Sequence, residues 1–354
     1  MSTLLDAEIM IVGAGPAGVT AARTLAPSHQ VAIIDPVFAG AKTKPCGGLL
    51  SEAAQASLAS FGLTLPLDLL VTPQCFAVRV VDLETRRSAL YPRTYTNLDR
   101  RRFDDWLRAT LPDGVEKISA RLSDIVEEDD HYVLTLREQD EERLVRCRYI
   151  VGADGGGSLT RRRLFPERRP HLLTAVQAHY DLDGAKPEYA CYYDRRVTPA
   201  FGWSLAKDDA LIIGGAFSRE HSGEAFSRFE ANVFRHFGYR IGERRFTEAC
   251  PVVWGRNGPD VFLGVGRAFF IGEAAGLISP SSFEGISFAL ESGYLLGRSF
   301  TELPDLPDRR YQRAVAPLLR KLFVRRAKTS VLASRLMREF VIRSGLDQVN
   351  PKDL

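Results

Sequence analysis

Cysteine is scarce, five in 354 residues, and none of Cys46, Cys75, Cys147, Cys191 and Cys250 forms a CxxC pair. That scatter argues against a zinc ribbon and a disulfide-stapled scaffold, and it fits a reducing compartment. No apolar run reaches about 18 residues, which excludes a membrane-spanning helix. An excess of one charge is missing too: 47 Lys and Arg stand against 44 Asp and Glu, a net charge of +3. Such a balance argues against nucleic acid as a partner. The six histidines show no ligand spacing on a helix face, so no metal site is expected. A basic region is absent before the first apolar run, which reads as a buried strand rather than a signal peptide. A cytoplasmic location is expected, with contact at a membrane surface left open. There is no Walker lysine loop, zincin helix or GxSxG elbow.

What is present describes a globular protein: 45% of residues are apolar and 26% charged. At roughly 150 residues per domain the length suggests two domains. Residues 7–12 and 31–34 are apolar strands around a helix at 19–25. This βαβ unit predicts a parallel sheet. Residues 51–61 and 98–111 read as helices, and 42–50 as a loop rich in turn residues. Residues 70–95 read as strand–turn–strand and 125–148 as an antiparallel meander. From 171 to 253 strand signals dominate, with one amphipathic stretch at 224–237. Residues 261–271 are an apolar run, and a helical tail covers 311–343. Sheet segments recur early, in the middle and late, so the organisation is interleaved.

Gly13-x-Gly15-x-x-Gly18 follows a strand, opens a helix and is followed by the acid Asp35. In that context it is a dinucleotide fingerprint. The glycines let backbone approach a pyrophosphate, the helix N-terminus offers free N–H groups, and Asp35 can accept from a ribose hydroxyl. Candidate contacts are Gly13, Gly15, Ala17, Gly18, Asp35 and Pro36. Two later strands end in similar turns, Val151-Gly152-Ala153-Asp154-Gly155 and Gly272-Glu273-Ala274-Ala275-Gly276. The second is followed by Pro280-Ser281-Ser282-Phe283-Glu284-Gly285-Ile286.

This trio resembles the Rossmann-like FAD-binding domain of the glutathione-reductase-like flavoproteins in the hydroxylase arrangement. The resemblance implies that Asp154, Gly272, Gly276, Pro280, Gly285 and Ile286 surround FAD, bound without a covalent link. It implies that the acid of the late motif holds the ribitol; Glu273 stands there where Asp is usual. It also implies a helix from about residue 284 whose N-terminus faces the flavin, and a cofactor role for Arg100 in Arg100-x-x-Phe103-Asp104. The FAD domain is then expected at 1–70, 98–170 and 258–300. An inserted antiparallel β-sheet substrate domain would occupy 71–97 and 171–257, and a helical segment 301–354.

Lys44-Pro45-Cys46-Gly47-Gly48 is similar to the KPCGG loop of the geranylgeranyl reductase family. KPCGGLL, NLDRRRFDDWL, VGADGGGS and GEAAGLISPSSFEGISFAL together resemble the CbrA-like bacterial branch of that family. The resemblance implies that Lys44, Gly47 and Gly48 lie at the cofactor and Cys46 at the substrate cavity. Cys46 is also the one candidate proton donor. Trp203 is either a cavity wall or sheet core; Ala206-Lys207 replaces the Phe-Pro found in prenyl reductases. The implied activity is reduction of a C=C bond in an isoprenoid or other apolar substrate. Oxygen transfer by an FAD-dependent monooxygenase is the alternative, and a non-enzymatic flavin electron carrier the third reading. Without a second GxGxxG, NADPH or NADH is expected to bind only transiently, or an electron-donor protein to replace it. Residues 305–354 carry 12 Lys and Arg against 5 Asp and Glu. This basic amphipathic segment either makes peripheral membrane contact or caps a domain with its charges in water.

Overall fold

The computed structural model describes residues 5–41, 44–139, 141–182, 188–237, 241–255, 258–302 and 307–349. Residues 42–43 of the expected loop, and 303–306 and 350–354 of the expected tail, lie outside them. The chain divides into two compact units, one of residues 1–43, 101–171 and 253–326, the other of 44–100, 172–252 and 327–354.

In the first unit the sheet runs Gly264–Val265, Ala268–Phe270, Glu141–Gly152, Leu5–Val12, Val31–Ile34, Glu116–Ile118. From Ala268–Phe270 onward every neighbouring pair is parallel. Ile9, Met10, Ile11 and Ile33 are fully buried; strands covered on both faces need apolar residues without alternation. The expected meander is present as Arg121–Glu127 and Tyr132–Glu138, whose Leu134 and Leu136 join the core around Met10 and Val12. Helix Pro16–Leu25 lies against helix Ile286–Glu302 at backbone contact, since a Cβ on Gly293 would fall 2.4 Å from the Ala17 carbonyl oxygen. Helix Pro307–Ala314, expected in the tail, belongs to this unit. Its buried Tyr311 donates to the Phe270 carbonyl at 2.9 Å.

The second unit's sheet runs Ile241–Val253, Leu172–Leu182, Ala210–Phe217, Gly202–Lys207, Ala190–Tyr193, Cys75–Asp82, Arg87–Asn97, Leu49–Leu50. The pairing of Ala190–Tyr193 with Cys75–Asp82 is parallel, a departure from the antiparallel sheet expected. Those strands come from two separate stretches of chain, so no hairpin dictates their direction. Residues 44–70 group here rather than with the nucleotide fold. Strand pairing accounts for it, with Leu49 opposite Asn97 and Leu50 opposite Thr96. The amphipathic stretch is helix Ser222–Phe237. Its Phe226, Phe229 and Val233 cover Val176, Ala178, Leu211 and Ile213 on one face of the sheet.

Candidate functional site

In the first unit the glycine-rich turn connects strand Leu5–Val12 to helix Pro16–Leu25. The Gly13 N–H donates to the Ile34 carbonyl at 2.8 Å and the Ala153 N–H to that of Val12 at 2.8 Å. Three chain segments are thereby clamped at the carboxyl ends of adjacent parallel strands, where ligands of such sheets bind. The three glycines do different things. A Cβ on Gly18 would lie 1.9 Å from the Gly13 carbonyl oxygen, and one on Gly13, at φ +110°, 2.5 Å from that of Ala153. A Cβ on Gly15 would meet nothing within 4 Å. Gly15 is also the N-cap of the helix and provides no side-chain cap. The turn therefore holds an open space at an uncapped helix N-terminus, which suits a pyrophosphate.

Asp35 stands beside this turn and binds it. Its carboxylate accepts from the Ala14 N–H at 2.7 Å and the Val37 N–H at 2.9 Å, so it caps the turn opened by Pro36 as well. Within this unit Arg108 also reaches the glycine turn, Nη1 donating to the Ala14 carbonyl at 3.5 Å while Nη2 pairs with Asp105. Sequence reasoning passed over Arg108; its one signal is its i+4 spacing from Asp104, beside the Phe103–Leu107 pair at the same spacing, all four buried on one helix.

The other motif acids bind the protein's own backbone. Asp154 accepts from Ser158 Oγ at 2.6 Å and from the Thr160 N–H and hydroxyl, each at 3.0 Å. Burial nonetheless pushes its carboxyl above the ordinary range. Arg161 is buried and donates to the carbonyls of Asp260 and Ala274 at 3.0 and 3.1 Å. Burial draws its guanidinium down to about 10. Through these bonds the middle motif braces the late one. Gly272 donates its N–H to Ser292 Oγ at 2.9 Å and faces Ala17, where a Cβ would come within 2.9 Å. The Glu273 carboxylate accepts the Val253 N–H at 2.9 Å. Gly276 ends the turn at φ +78°. Pro280 and Ile286 are buried and Gly285 is half-buried. The helix after them starts at Ile286, and Glu284 already accepts from the Ser287 N–H and hydroxyl, each at 2.8 Å. A carboxylate thus sits at the helix N-terminus that was expected to meet the flavin directly.

In the second unit Pro45, Cys46, Gly47 and Gly48 lie on one face of the sheet. The Cys250 thiol donates to the Pro45 carbonyl at 3.9 Å, the Gly48 N–H to Cys46 Sγ at 3.5 Å, and a Cβ on Gly47 would touch Leu205 at 3.8 Å. Strand register aligns Cys191, Trp203, Gly214 and Gln177 in one row. A Cβ on Gly214 would fall 2.7 Å from the Trp203 indole, so glycine lets the ring lie on the sheet. Trp203 is half-buried, on the face opposite helix Ser222–Phe237. Lys44 is exposed, and Arg100 begins helix Arg100–Ala109 with its Cβ near Gly48.

Lys207, which sequence reasoning treated only as a departure, fastens this loop. Its Nζ donates to Asn97 Oδ1 at 2.7 Å and to the carbonyls of Leu98 and Gly48 at 2.5 and 3.4 Å. Desolvation lowers its pKa to about 8, partly offset by Cys46 and Asp99. Between that value and the ordinary lysine range the unfolded chain binds the extra proton, so the contribution of Lys207 to stability rises with pH across that window. Lys207→Met should remove this rise and cost about 1–3 kcal/mol at neutral pH through the unpaired Asn97 and carbonyls. Urea unfolding from roughly pH 7 to pH 10 checks both.

Residues 6–180 match the family described as FAD binding domain. The chain is 36% identical over 346 residues to protein CbrA of Shigella flexneri, covering 97% of this chain and 94% of that one. Its fold is similar to that of a geranylgeranyl bacteriochlorophyll reductase-like protein from Thermoplasma acidophilum, with TM-score 0.76, 18% identity and coverage of 93% and 88% of the two chains. It is also similar to p-nitrophenol 4-monooxygenase PnpA of Pseudomonas putida, with TM-score 0.62, 14% identity and coverage of 98% and 100%. A glycine turn left open at Gly15, a family match over that turn and near full-length similarity to CbrA agree: the chain belongs to the CbrA family of FAD-dependent oxidoreductases.

Proposed function

We propose that the protein reduces a C=C bond in an isoprenoid or another apolar substrate. The observation that carries this reading is the Lys44–Gly48 loop, set over the buried Leu205 on the sheet face that carries the half-buried Trp203. An aromatic ring with polar groups beside it, Gln177 in the Trp203 row and its partner Glu248, suits an apolar substrate oriented by a polar end. When bound, FAD supplies hydride chemistry. The chain's own part is to seat the dinucleotide at Gly13–Gly18, to hold the loop through Lys207, and to deliver a proton. Cys46 is assigned that proton, since its half-buried thiol lies in the loop itself. Cys46→Ala should keep FAD and slow turnover by roughly a hundredfold or more, the lower end for a lost general acid. Unchanged turnover reduces the thiol to a wall.

Asp35→Ala should weaken FAD binding by about 1–3 kcal/mol, because it frees the Ala14 N–H and removes an acceptor for the ribose. Titration of FAD-free protein with FAD measures it, and unchanged affinity would make Asp35 purely structural. The reaction itself is tested anaerobically. Protein reduced with dithionite is mixed with a polyprenyl alcohol. Reoxidation without oxygen, with a product heavier by two hydrogens, is the expected result. Reoxidation only on admitting oxygen, with an oxygenated product, would favour the monooxygenase reading instead.

A further inference from the structure

We infer that the outward face of the last helix, Arg335–Ser344, docks on an anionic lipid bilayer. The helix is turned inside out relative to ordinary packing. An amphipathic surface helix turns its apolar stripe inward and its charges to water. Here Arg338 points inward at 1% exposure, while Leu336, Met337 and Phe340 stand 78%, 45% and 67% exposed. Leu346, after the turn at Gly345, is also exposed, at 70%.

The orientation is fixed by built contacts. Arg338 Nε and Nη2 pair with Asp82 and Glu84, each at 2.9 Å, and Nη1 donates to the Leu332 carbonyl at 2.8 Å. Its guanidinium also lies over the Tyr193 ring at 5.5 Å. Ile342 packs on the cluster of Val78, Ala89 and Tyr91, and the Val349 N–H donates to the Leu90 carbonyl at 2.8 Å. The inner face is thus filled by an ion pair, and positions 336, 337 and 340 fall together on the outer face.

Charge selects the occupant. Arg335 and Arg343 flank the apolar ridge and are exposed. Glu339 is neutralised by Arg343 at 2.7 Å and Arg87 at 3.4 Å. Within the helix's own unit the described residues 327–349 carry four basic residues, Lys328, Arg335, Arg338 and Arg343, against Glu339 and Asp347. Leucine, methionine and phenylalanine beside the exposed Arg335 and Arg343 suit the boundary between anionic headgroups and acyl chains.

The test uses the FAD-loaded full chain and sedimentation with vesicles. Phosphatidylcholine alone is compared with phosphatidylcholine containing about one-third phosphatidylglycerol. Wild type should bind the anionic vesicles roughly tenfold or more better than the neutral ones, and lose that preference in about 0.5 M salt. The double variant L336S/F340S should lose binding by at least about tenfold while its flavin spectrum and melting temperature stay unchanged, because both side chains already face water. R335E/R343E should erase the preference for phosphatidylglycerol. Equal binding by wild type and L336S/F340S would overturn the inference. So would absence of binding to both vesicles, or a wild-type dimer that L336S/F340S converts to monomer without any lipid binding.

Discussion

Gly15→Val is expected to give a folded protein that no longer retains FAD. The glycine's missing side chain faces open space in front of the helix, so valine strains nothing in the protein. It fills the volume where backbone must approach a pyrophosphate. Affinity should fall by roughly a hundredfold or more, about 2.7 kcal/mol. Titration with FAD reads the loss, and an unchanged melting temperature of the FAD-free protein separates it from misfolding. Gly18→Ala should do the reverse and destabilise the FAD-free protein, because its Cβ would fall 1.9 Å from the Gly13 carbonyl oxygen. Stoichiometric FAD in the Gly15→Val variant would show that the dinucleotide does not run past this turn.

The second large effect belongs to Arg338. Arg338→Met should cost about 3–5 kcal/mol, the range for breaking a buried pair and stranding its partner. Asp82 is fully buried and, among the described residues, would keep the bonds from the Glu84 and Thr85 N–H groups, at 2.9 and 3.0 Å. Because the penalty is the stranded charge, adding Asp82→Asn and Glu84→Gln to Arg338→Met should recover part of it. Urea unfolding of the single and triple variants measures this. A loss below about 1 kcal/mol for the single variant would class the pair with solvent-screened surface bridges.

These two cases also mark how far the sequence alone could be read. The glycine turn was readable because strand, turn and helix are local and the spacing reports them directly. What the spacing could not separate is which glycine the fold needs and which the ligand needs; that depends on Ala153 and Gly13 meeting across the sheet. The motif acids were visible as residues, but their partners were not. Asp154 bonds six residues onward, while Glu273 bonds Val253 some 20 residues back in the chain. Arg108 was missed beside Arg100 because helix phase decides which arginine reaches the glycine turn. Lys207 looked like a lost family feature, and its role exists only once strand pairing brings Asn97 and Gly48 to it. The last helix gave the opposite of its pattern, since hydrophobicity alone would have put Leu336 and Phe340 inside. A buried ion pair reversed its orientation.

The most direct measurement is the flavin content of the purified chain. The protein should be yellow, and heat or acid should release about one FAD per chain into solution, the stoichiometry of a single dinucleotide turn. Release without proteolysis shows that the link is non-covalent. A colourless protein that takes up no added FAD, or one that holds only FMN, would contradict the assignment of Gly13–Gly18, Asp35 and the late Gly272–Gly276 turn to one FAD site.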